Sequence, residues 1–181
     1  MGAYLGTVSL FKQVAVNRAE TLMRARLLIR PSELRRYNPR TKQYDMPIGN
    51  GLFSKERIHR GHQIVHFSGE PLRSRAEVQH ARAVSLHGGY VITNHTETYG
   101  LDCFQAAARH QCFASMANCP YKCKNIERGT FPEANVQKSC KAYIGDGTYI
   151  FGLVACRDIP PFTEILVNYG ASYIYPTHYD D

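Results

Sequence analysis

Two segments of this sequence, more than a hundred residues apart, contain residue types that could bind a ligand and act on it. The first is Gly49-Asn50-Gly51-Leu52, and the second is Asn168-Tyr169-Gly170. Glycine lets main-chain groups approach a bound molecule, and a tyrosine hydroxyl both donates and accepts hydrogen bonds. Neither segment is specific alone, because glycine pairs mark many turns and most tyrosines in strands pack in a core.

The six cysteines suggest a second kind of chemistry. Cys119-Pro-Tyr-Lys-Cys123, with Cys112 and Cys140 as further ligands, could form a tetrahedral zinc site. The spacing is loose for such a site, and free thiols are the usual state of cysteines in loops of this kind. We therefore predict reduced thiols, no disulfide framework and no bound metal.

The order and spacing of four motifs resemble the SET-domain protein lysine methyltransferases. These motifs are Gly49-Asn-Gly-Leu-Phe53, Phe67-Ser-Gly-Glu70, Ala155-Cys-Arg-Asp-Ile159 and Glu164-Ile-Leu-Val-Asn-Tyr-Gly170. The resemblance implies a mainly β fold with short helices, the knotted β-clip of the SET domain, over residues 45–176. An N-terminal helical, basic segment would occupy residues 1–44, and a short tail would occupy residues 177–181.

The resemblance also implies an activity and a set of site residues. Members of the family transfer a methyl group from S-adenosylmethionine to a lysine, and Tyr169 matches their catalytic tyrosine. Gly49, Asn50, Gly51 and Leu52 match the loop that binds the methyl donor. Tyr90 is a candidate second donor contact, although an aromatic residue in a strand is as often part of the core.

The central motif departs from the family pattern. Where many members read Arg-Phe-Ile-Asn-His-Ser-Cys, this chain reads Cys112-Phe-Ala-Ser-Met-Ala-Asn118. Ser115 and Met116 take the positions of the Asn-His pair, so donor contacts there would come mainly from the backbone, with Asn118 as a substitute side chain. A plant branch of the family that methylates histone H3 has a similar form and also ends in Tyr-Pro-Thr, like residues 175–177 here.

The substrate channel is expected to have aromatic walls. The family's cysteine-rich, zinc-binding tail is absent, and Tyr173, Tyr175 and His178 are available to close the channel instead. Val167 matches a position that is usually Phe or Tyr in the family, and its lack of a hydroxyl predicts room for di- or trimethyl-lysine. Tyr99 or Tyr173 could fill that volume from another strand.

Methyl transfer to lysine needs a neutral amine, alignment with the donor and exclusion of water. A free lysine has a pKa near 10.4, so at neutral pH nearly all of it is the unreactive ammonium. Burial in an apolar channel beside a positive donor disfavours that charge. A general base is therefore optional.

Hydrophobic periodicity and turn residues predict the elements that position these residues. An amphipathic helix is predicted from about residue 10 to residue 30, where Pro31 ends the pattern. The capping box Ser74-Arg-Ala-Glu77 predicts a helix over residues 75–87, and residues 104–113 are predicted as a short helix. Strands are predicted at 49–53, 63–67, 90–93 and 99–102, with a hairpin of 140–144 and 148–156.

Composition limits the classes of function. A chain of 181 residues with 44% hydrophobic residues can bury one substantial core. The formal net charge of +7 favours acidic partners such as nucleic acid or nucleosomes.

Basic residues are concentrated in one segment, called the basic segment below: Arg24, Arg26, Arg30, Arg35, Arg36, Arg40 and Lys42. A solvated basic face is the favoured interpretation of this segment, with a nucleosome contact as the alternative.

Three hypotheses follow. The first is an S-adenosylmethionine-dependent lysine methyltransferase acting on a histone tail or another basic protein segment. The second is a catalytically weak SET-fold module that binds a basic peptide or a nucleosome, and the third is an unrelated basic nucleic-acid-binding β domain. The sequence has no run of 18 apolar residues, so we expect an intracellular protein without membrane contact, nuclear rather than cytoplasmic.

Overall fold

The computed structural model describes residues 21–84, 90–142 and 149–169, without the side chains of residues 141 and 142. The elements in these ranges are strands β1 (Leu27–Pro31), β2 (Leu34–Asn38), β3 (Gln43–Pro47), β4 (Asn50–Ser54), β5 (Gln63–His66) and β6 (Glu70–Leu72), helix α1 (Arg75–Val84), strands β7 (Val91–Thr93) and β8 (Gly100–Asp102), helix α2 (Phe104–Ala108), a 3-10 helix (Phe113–Met116), and strands β9 (Cys123–Asn125), β10 (Val136–Ala142) and β11 (Tyr149–Ala155).

The strands form small antiparallel sheets. β1 pairs with β4, β11 lies between β10 and β5, β2 lies between β3 and β9, and β8 lies between β6 and β7. β11 shows why these segments form strands, since it is rich in β-branched and aromatic residues. Its alternate residues Phe151, Leu153 and Ala155 are buried, as expected for a strand with one face on the core. The architecture is mainly β with short helices, which confirms the predicted fold class.

The N-terminal prediction needs correction. Among the described residues of this region, 21–25 are helical. The chain then continues as β1, whose Leu27 and Ile29 pair with Ser54 and Leu52 of β4. An apolar run such as Leu27-Leu28-Ile29 fits a helical stripe and a strand equally well, and pairing with β4 decides for the strand. The part of the predicted helix before residue 21 lies outside the described residues.

Strands β1 and β2 lie before the predicted limit at residue 44 but pair with strands that lie after it. β1 pairs with β4, and β2 pairs with β9 through Leu34 and Asn125. Leu34 is fully buried against Cys123 and Leu166 in a second, small core. Residues 27–38 are therefore built into the sheets of the predicted catalytic domain, while the other domain limits stay predictions.

Most of the remaining element predictions are confirmed. The capping box starts α1: the Ser74 hydroxyl accepts from the Glu77 N–H at 3.2 Å, and the Glu77 carboxylate accepts from the Arg73 N–H at 2.8 Å. β10 and β11 form the predicted hairpin, with Cys140 opposite Phe151. The helix predicted over residues 104–113 is split into α2 and the 3-10 helix. The ends of two predictions, residues 85–87 and 143–144, lie outside the described residues.

The chain after β11 returns to the middle of the molecule. The Ile165 N–H donates to the Leu52 carbonyl at 2.7 Å, and the Val167 N–H donates to the Asn118 carbonyl at 2.9 Å. On its other side, the Leu166 carbonyl accepts from the N–H groups of Asn135 and Val136. Residues 164–167 are thus held from both sides. Residues 164–169, called the closing segment below, bring Tyr169 to the main core.

Candidate methyl-transfer site

Tyr169 lies where the closing segment passes the 3-10 helix. Its hydroxyl donates a hydrogen bond to the Ala117 carbonyl at 2.9 Å, and its ring packs partly buried against the main core. Its own carbonyl accepts from the Lys138 ammonium at 3.0 Å. The hydroxyl hydrogen is therefore committed to the protein, and a phenol oxygen can also act as an acceptor.

A cavity of about 70 Å³ lies beside Tyr169. It is lined by Phe67, Tyr90, Val91, Ile92, Ala114, Ser115, Ala117, Lys138, Val167 and Tyr169. Five elements or segments supply these residues, namely the end of β5, strand β7, the 3-10 helix, strand β10 and the closing segment. The cavity brings together four residues that the sequence nominated: Tyr90, Ser115, Val167 and Tyr169.

Val167 is predicted to line the substrate channel and Tyr90 to contact the methyl donor, and both line the cavity. Val167 is buried, with 2% of its surface exposed, so its side chain is part of the wall. The Tyr90 ring packs edge-on against Phe104, with ring centroids 5.6 Å apart, and also lines the cavity. Tyr90 therefore packs in the core and also lines the cavity. Its predicted contact with the methyl donor stays a prediction.

Ser115 lines the cavity, whereas Met116 packs against the main core. The Ser115 hydroxyl donates to the Cys112 thiol at 3.0 Å. Hydrogen bonding from the Cys103 thiol, helped by Ser115 and by the Ser68 N–H, lowers the pKa of Cys112 to about 6 against the opposing effect of burial. The same contact and burial raise the pKa of Cys103.

The predicted donor loop, residues 49–52 and called the donor loop below, shows two different uses of glycine. Gly49 has a φ of +91° with no atom within 4 Å of the position a Cβ would take, so the space beside it is open. At Gly51 an added Cβ would lie 2.3 Å from the Glu164 carboxylate oxygen Oε1. The left-handed residue is therefore Gly49, and Gly51 is required by the approach of Glu164. Leu52 is fully buried in the core.

Asn118 belongs to a buried network around Glu164. Its amide nitrogen Nδ2 donates to the Asn50 carbonyl and to Glu164 Oε1, both at 3.0 Å. Glu164 also accepts from the Ser32 hydroxyl at 2.7 Å and from the Glu33 N–H at 3.2 Å. Burial raises the pKa of Glu164, although these hydrogen bonds oppose the shift. The network ties the donor loop to the closing segment, and it occupies the side-chain donors of Asn118.

The predicted channel residues divide into two groups. Tyr99 packs among aromatic rings, with its ring centroid 5.3 Å from that of Tyr149 and 6.2 Å from that of Phe151. It is not one of the described residues that line the cavity beside Tyr169. It therefore does not fill the volume beside Val167. Tyr173, Tyr175 and His178 lie outside the described residues.

The cysteines are all free thiols, with Cys112, Cys119 and Cys123 buried and Cys140 exposed. In the described ranges no group of three or more His, Cys, Asp and Glu residues is placed to hold a metal ion.

No helix among the described residues is both long and apolar enough to cross a membrane.

Several residues of the basic segment have partners within the protein. The Arg26 and Arg30 guanidinium groups pair with Glu56 and Glu33, and Arg30 also lies 3.8 Å from the centroid of the Phe53 ring. Arg35 donates to the carbonyls of Ser32 and Leu34 at 2.7 and 2.8 Å. These contacts favour a structural role for this part of the segment over a role in binding a partner.

Sequence reasoning missed Lys138 as a lining residue of the cavity. Lys138 is opposite Leu153 in the register of β10 and β11, and directly paired residues project on the same face of a sheet. Leu153 is fully buried, so the Lys138 side chain leaves β10 on the same side as a core residue, although Lys138 itself is exposed. The predicted strand begins at residue 140 and so leaves Lys138 out. The alternation of Val136, Lys138 and Cys140 is the signal that could have extended the strand to include Lys138.

The chain resembles known proteins in sequence and in fold. Its sequence matches the family model of the SET domain over residues 49–170. It is similar to a chain of an active polycomb repressive complex 2 in the basal state, at 16% identity and a TM-score of 0.52, over 81% of this chain and 15% of that chain. It is also similar to a chain of an active polycomb repressive complex 2 in the stimulated state, at 17% identity and a TM-score of 0.53, over 83% of this chain and 16% of that chain.

This chain thus spans less than a fifth of the length of those two chains, and at such identities the similarity shows the fold alone. A comparison with curated proteins gives no significant match. The family match is longer than half of the chain and contains the donor loop, the central motif and Tyr169. The chain therefore belongs to the SET-domain family.

Proposed function

We propose that this protein is an S-adenosylmethionine-dependent protein lysine N-methyltransferase. The observation that carries the proposal is the cavity beside Tyr169. Its wall combines a positioned phenol oxygen, the apolar Val167, Ala114 and Ala117, and the ring of Tyr90. A cavity of this kind can exclude water from a lysine amine and hold it for attack.

The chain's own residues account for the handling of the amine. The apolar residues of the wall disfavour an ammonium, so a lysine that enters is driven toward its neutral, nucleophilic form. The Tyr169 hydroxyl gives its hydrogen to the Ala117 carbonyl, so its oxygen can accept from the amine or from polarised methyl C–H groups. Tyr169 therefore orients the reacting groups without taking a proton from them.

The residues around the donor loop fit a methyl donor. The open space beside Gly49 lets the main chain of residues 49–51 approach a ligand, and Ser115 and Tyr90 are the side chains nominated to meet it from the other motifs. When bound there, S-adenosylmethionine would supply an electrophilic methyl group on a positive sulfonium. Tyr173, Tyr175 and His178 are proposed to close the channel.

The substrate proposed is a histone tail, and the location proposed is the nucleus. Both similar structures are chains of polycomb repressive complex 2, and the net charge of +7 suits an encounter with the acidic nucleosome. The catalytic site does not depend on this choice, because any lysine on a flexible basic segment offers the same amine.

A specific observation favours one alternative. Ser115 and Met116 replace the Asn-His pair, and the side-chain donors of Asn118 are engaged by Asn50 and Glu164. A chain with so few side-chain contacts for the donor could be a binding module for a basic peptide or a nucleosome with little turnover. Binding of the donor is the property that separates the two proposals.

The test has a binding arm and a transfer arm. Calorimetry should detect S-adenosylmethionine binding by the wild-type chain and by Tyr169→Phe alike. With deuterium-labelled donor and purified core histones, the wild-type chain should label a lysine, and Tyr169→Phe should be slower by about 100-fold, the scale of one positioned catalytic group. Donor binding without transfer would favour the module, and near wild-type transfer by Tyr169→Phe would refute the role of Tyr169.

A further inference from the structure

The cavity beside Tyr169 contains a fixed cation. Lys138 is the one Lys or Arg among the described residues that line this cavity, and no Asp or Glu lines it within the same part of the chain. Its place is set by the sheet, because Lys138 lies opposite the buried Leu153 and two residues after the buried Val136. Lys138 itself is exposed on this edge strand, and its ammonium reaches the wall of the cavity.

The ammonium is held at the residue that orients the reacting amine. Lys138 Nζ donates to the Tyr169 carbonyl at 3.0 Å and lies 5.8 Å from the centroid of the Tyr169 ring. The cavity has a volume of only about 70 Å³. A lysine amine that enters it must therefore lie close to the Lys138 ammonium.

Two amines in one small space do not both carry a proton readily, because like charges disfavour each other. Lys138 has the Tyr169 carbonyl as an acceptor, which favours the charged form of Lys138 over that of the incoming amine. The other titratable groups around it are the Tyr90 and Tyr169 phenols and the buried Cys119 thiol, whose negative form would raise the pKa of Lys138. Desolvation at the cavity lowers the pKa of Lys138, although much of its side chain is exposed.

We propose that Lys138 is an electrostatic residue of the methyl-transfer site, whose fixed positive charge keeps the incoming lysine amine neutral. This inference rests on the proposed function. The proton leaves the substrate lysine for solvent water as that side chain enters, so no general base is required. The same charge disfavours a trimethyl-lysine product, which is permanently cationic, and so opposes the room that Val167 provides.

The pH dependence of turnover tests this inference. Lys138→Met keeps an unbranched side chain without the charge, and Lys138→Arg keeps the charge. Each would be assayed from pH 6.5 to 10 on a peptide spanning the lysine labelled in the histone assay. We expect the midpoint of the rising limb to increase by about one pH unit in Lys138→Met, with about tenfold lower turnover at neutral pH and convergence with wild type at high pH. Lys138→Arg should follow the wild-type profile.

A measurement without donor provides a second readout. Calorimetry at pH 7.5 would compare that peptide with one containing norleucine, an uncharged analogue, in place of the target lysine. The preference of the wild-type chain for norleucine over lysine should shrink by about tenfold in Lys138→Met. Matching thermal unfolding of wild type and variant would show that the fold is unchanged.

The outcomes separate the two proposals. A wild-type chain that transfers no methyl group would overturn the proposed function and this inference together. An active wild-type chain whose pH midpoint and peptide preference are unchanged in Lys138→Met would overturn only the role of Lys138. Mass spectrometry that finds a methyl group on Lys138 itself would also overturn it, because Lys138 would then be an acceptor.

Discussion

At the scale of single residues, Gly51 and Glu164 show how the donor loop and the closing segment are fitted together. Glu164 is 4% exposed, and its carboxylate occupies the place where a Cβ of residue 51 would be. Ser32 and Asn118 complete its hydrogen bonds. The carboxylate therefore acts as a buried connection between β4, the segment before β2 and the chain that carries Tyr169.

Gly51→Ala should destabilise the protein by about 1–3 kcal/mol, the cost of forcing an extra group into a packed site. The cost should be smaller in a background that already contains Glu164→Ala, because the clashing carboxylate is then absent. Urea unfolding of the wild type, both single variants and the double variant would measure this coupling. Additive effects would show that Gly51 is required for another reason, such as its backbone conformation.

At the scale of elements, β1 shows that residues before the predicted limit at residue 44 pack with the strands that follow it. Leu27 and Leu28 are neighbours on this strand, and their side chains project to opposite faces. Leu27 is 3% exposed and belongs to the main core, whereas Leu28 is 36% exposed. The strand therefore contributes to the core on one face only, although it lies within the segment that the sequence assigned to an N-terminal appendage.

Leu27→Ala should lower the free energy of unfolding by about 2–4 kcal/mol, because it leaves a cavity in the core. Leu28→Ala, the matched control, should cost less than about 1 kcal/mol at its exposed site. Equal, small effects of the two changes in chemical unfolding would indicate that residues 27–31 do not pack against the domain, as a separate N-terminal segment would predict.

At the scale of the whole molecule, the net charge of +7 is spread over a surface where several arginines already have acidic or carbonyl partners. The turn between β2 and β3 differs from the rest of the basic segment, since Arg40 and Lys42 are both exposed there. A contact with nucleosomal phosphates, if the proposed partner is right, is best sought at this turn.

Arg40→Gln combined with Lys42→Gln should weaken nucleosome binding and reduce the slope of log affinity against log salt by about 0.9 for each phosphate that the protein no longer neutralises. Fluorescence anisotropy over a salt series would measure the slope. Arg57→Gln is the control, because Arg57 is an exposed arginine outside the basic segment and pairs with Asp158 at 2.8 Å. A slope that does not change in the double variant would leave the basic segment as a solvated face.

The sequence by itself determined the family and the mainly β class, and it nominated candidate site residues in contiguous motifs. Gly49-Asn50-Gly51, Ser115 and Asn168-Tyr169 could be found because each lies in a short segment whose order along the chain is characteristic. The capping box of α1 and the β10–β11 hairpin were also predictable, because both depend on local hydrogen bonds and on turn residues.

Only the tertiary structure decided which of these residues meet, because that depends on pairing between segments far apart in the chain. It placed Leu27 in a strand, turned Asn118 toward Asn50 and Glu164, and packed Tyr99 against Tyr149. It also brought Lys138 to Tyr169, because the register of β10 against β11 fixes which strand face points inward. A register is set by the summed packing of both strands, and no single motif in the sequence records it.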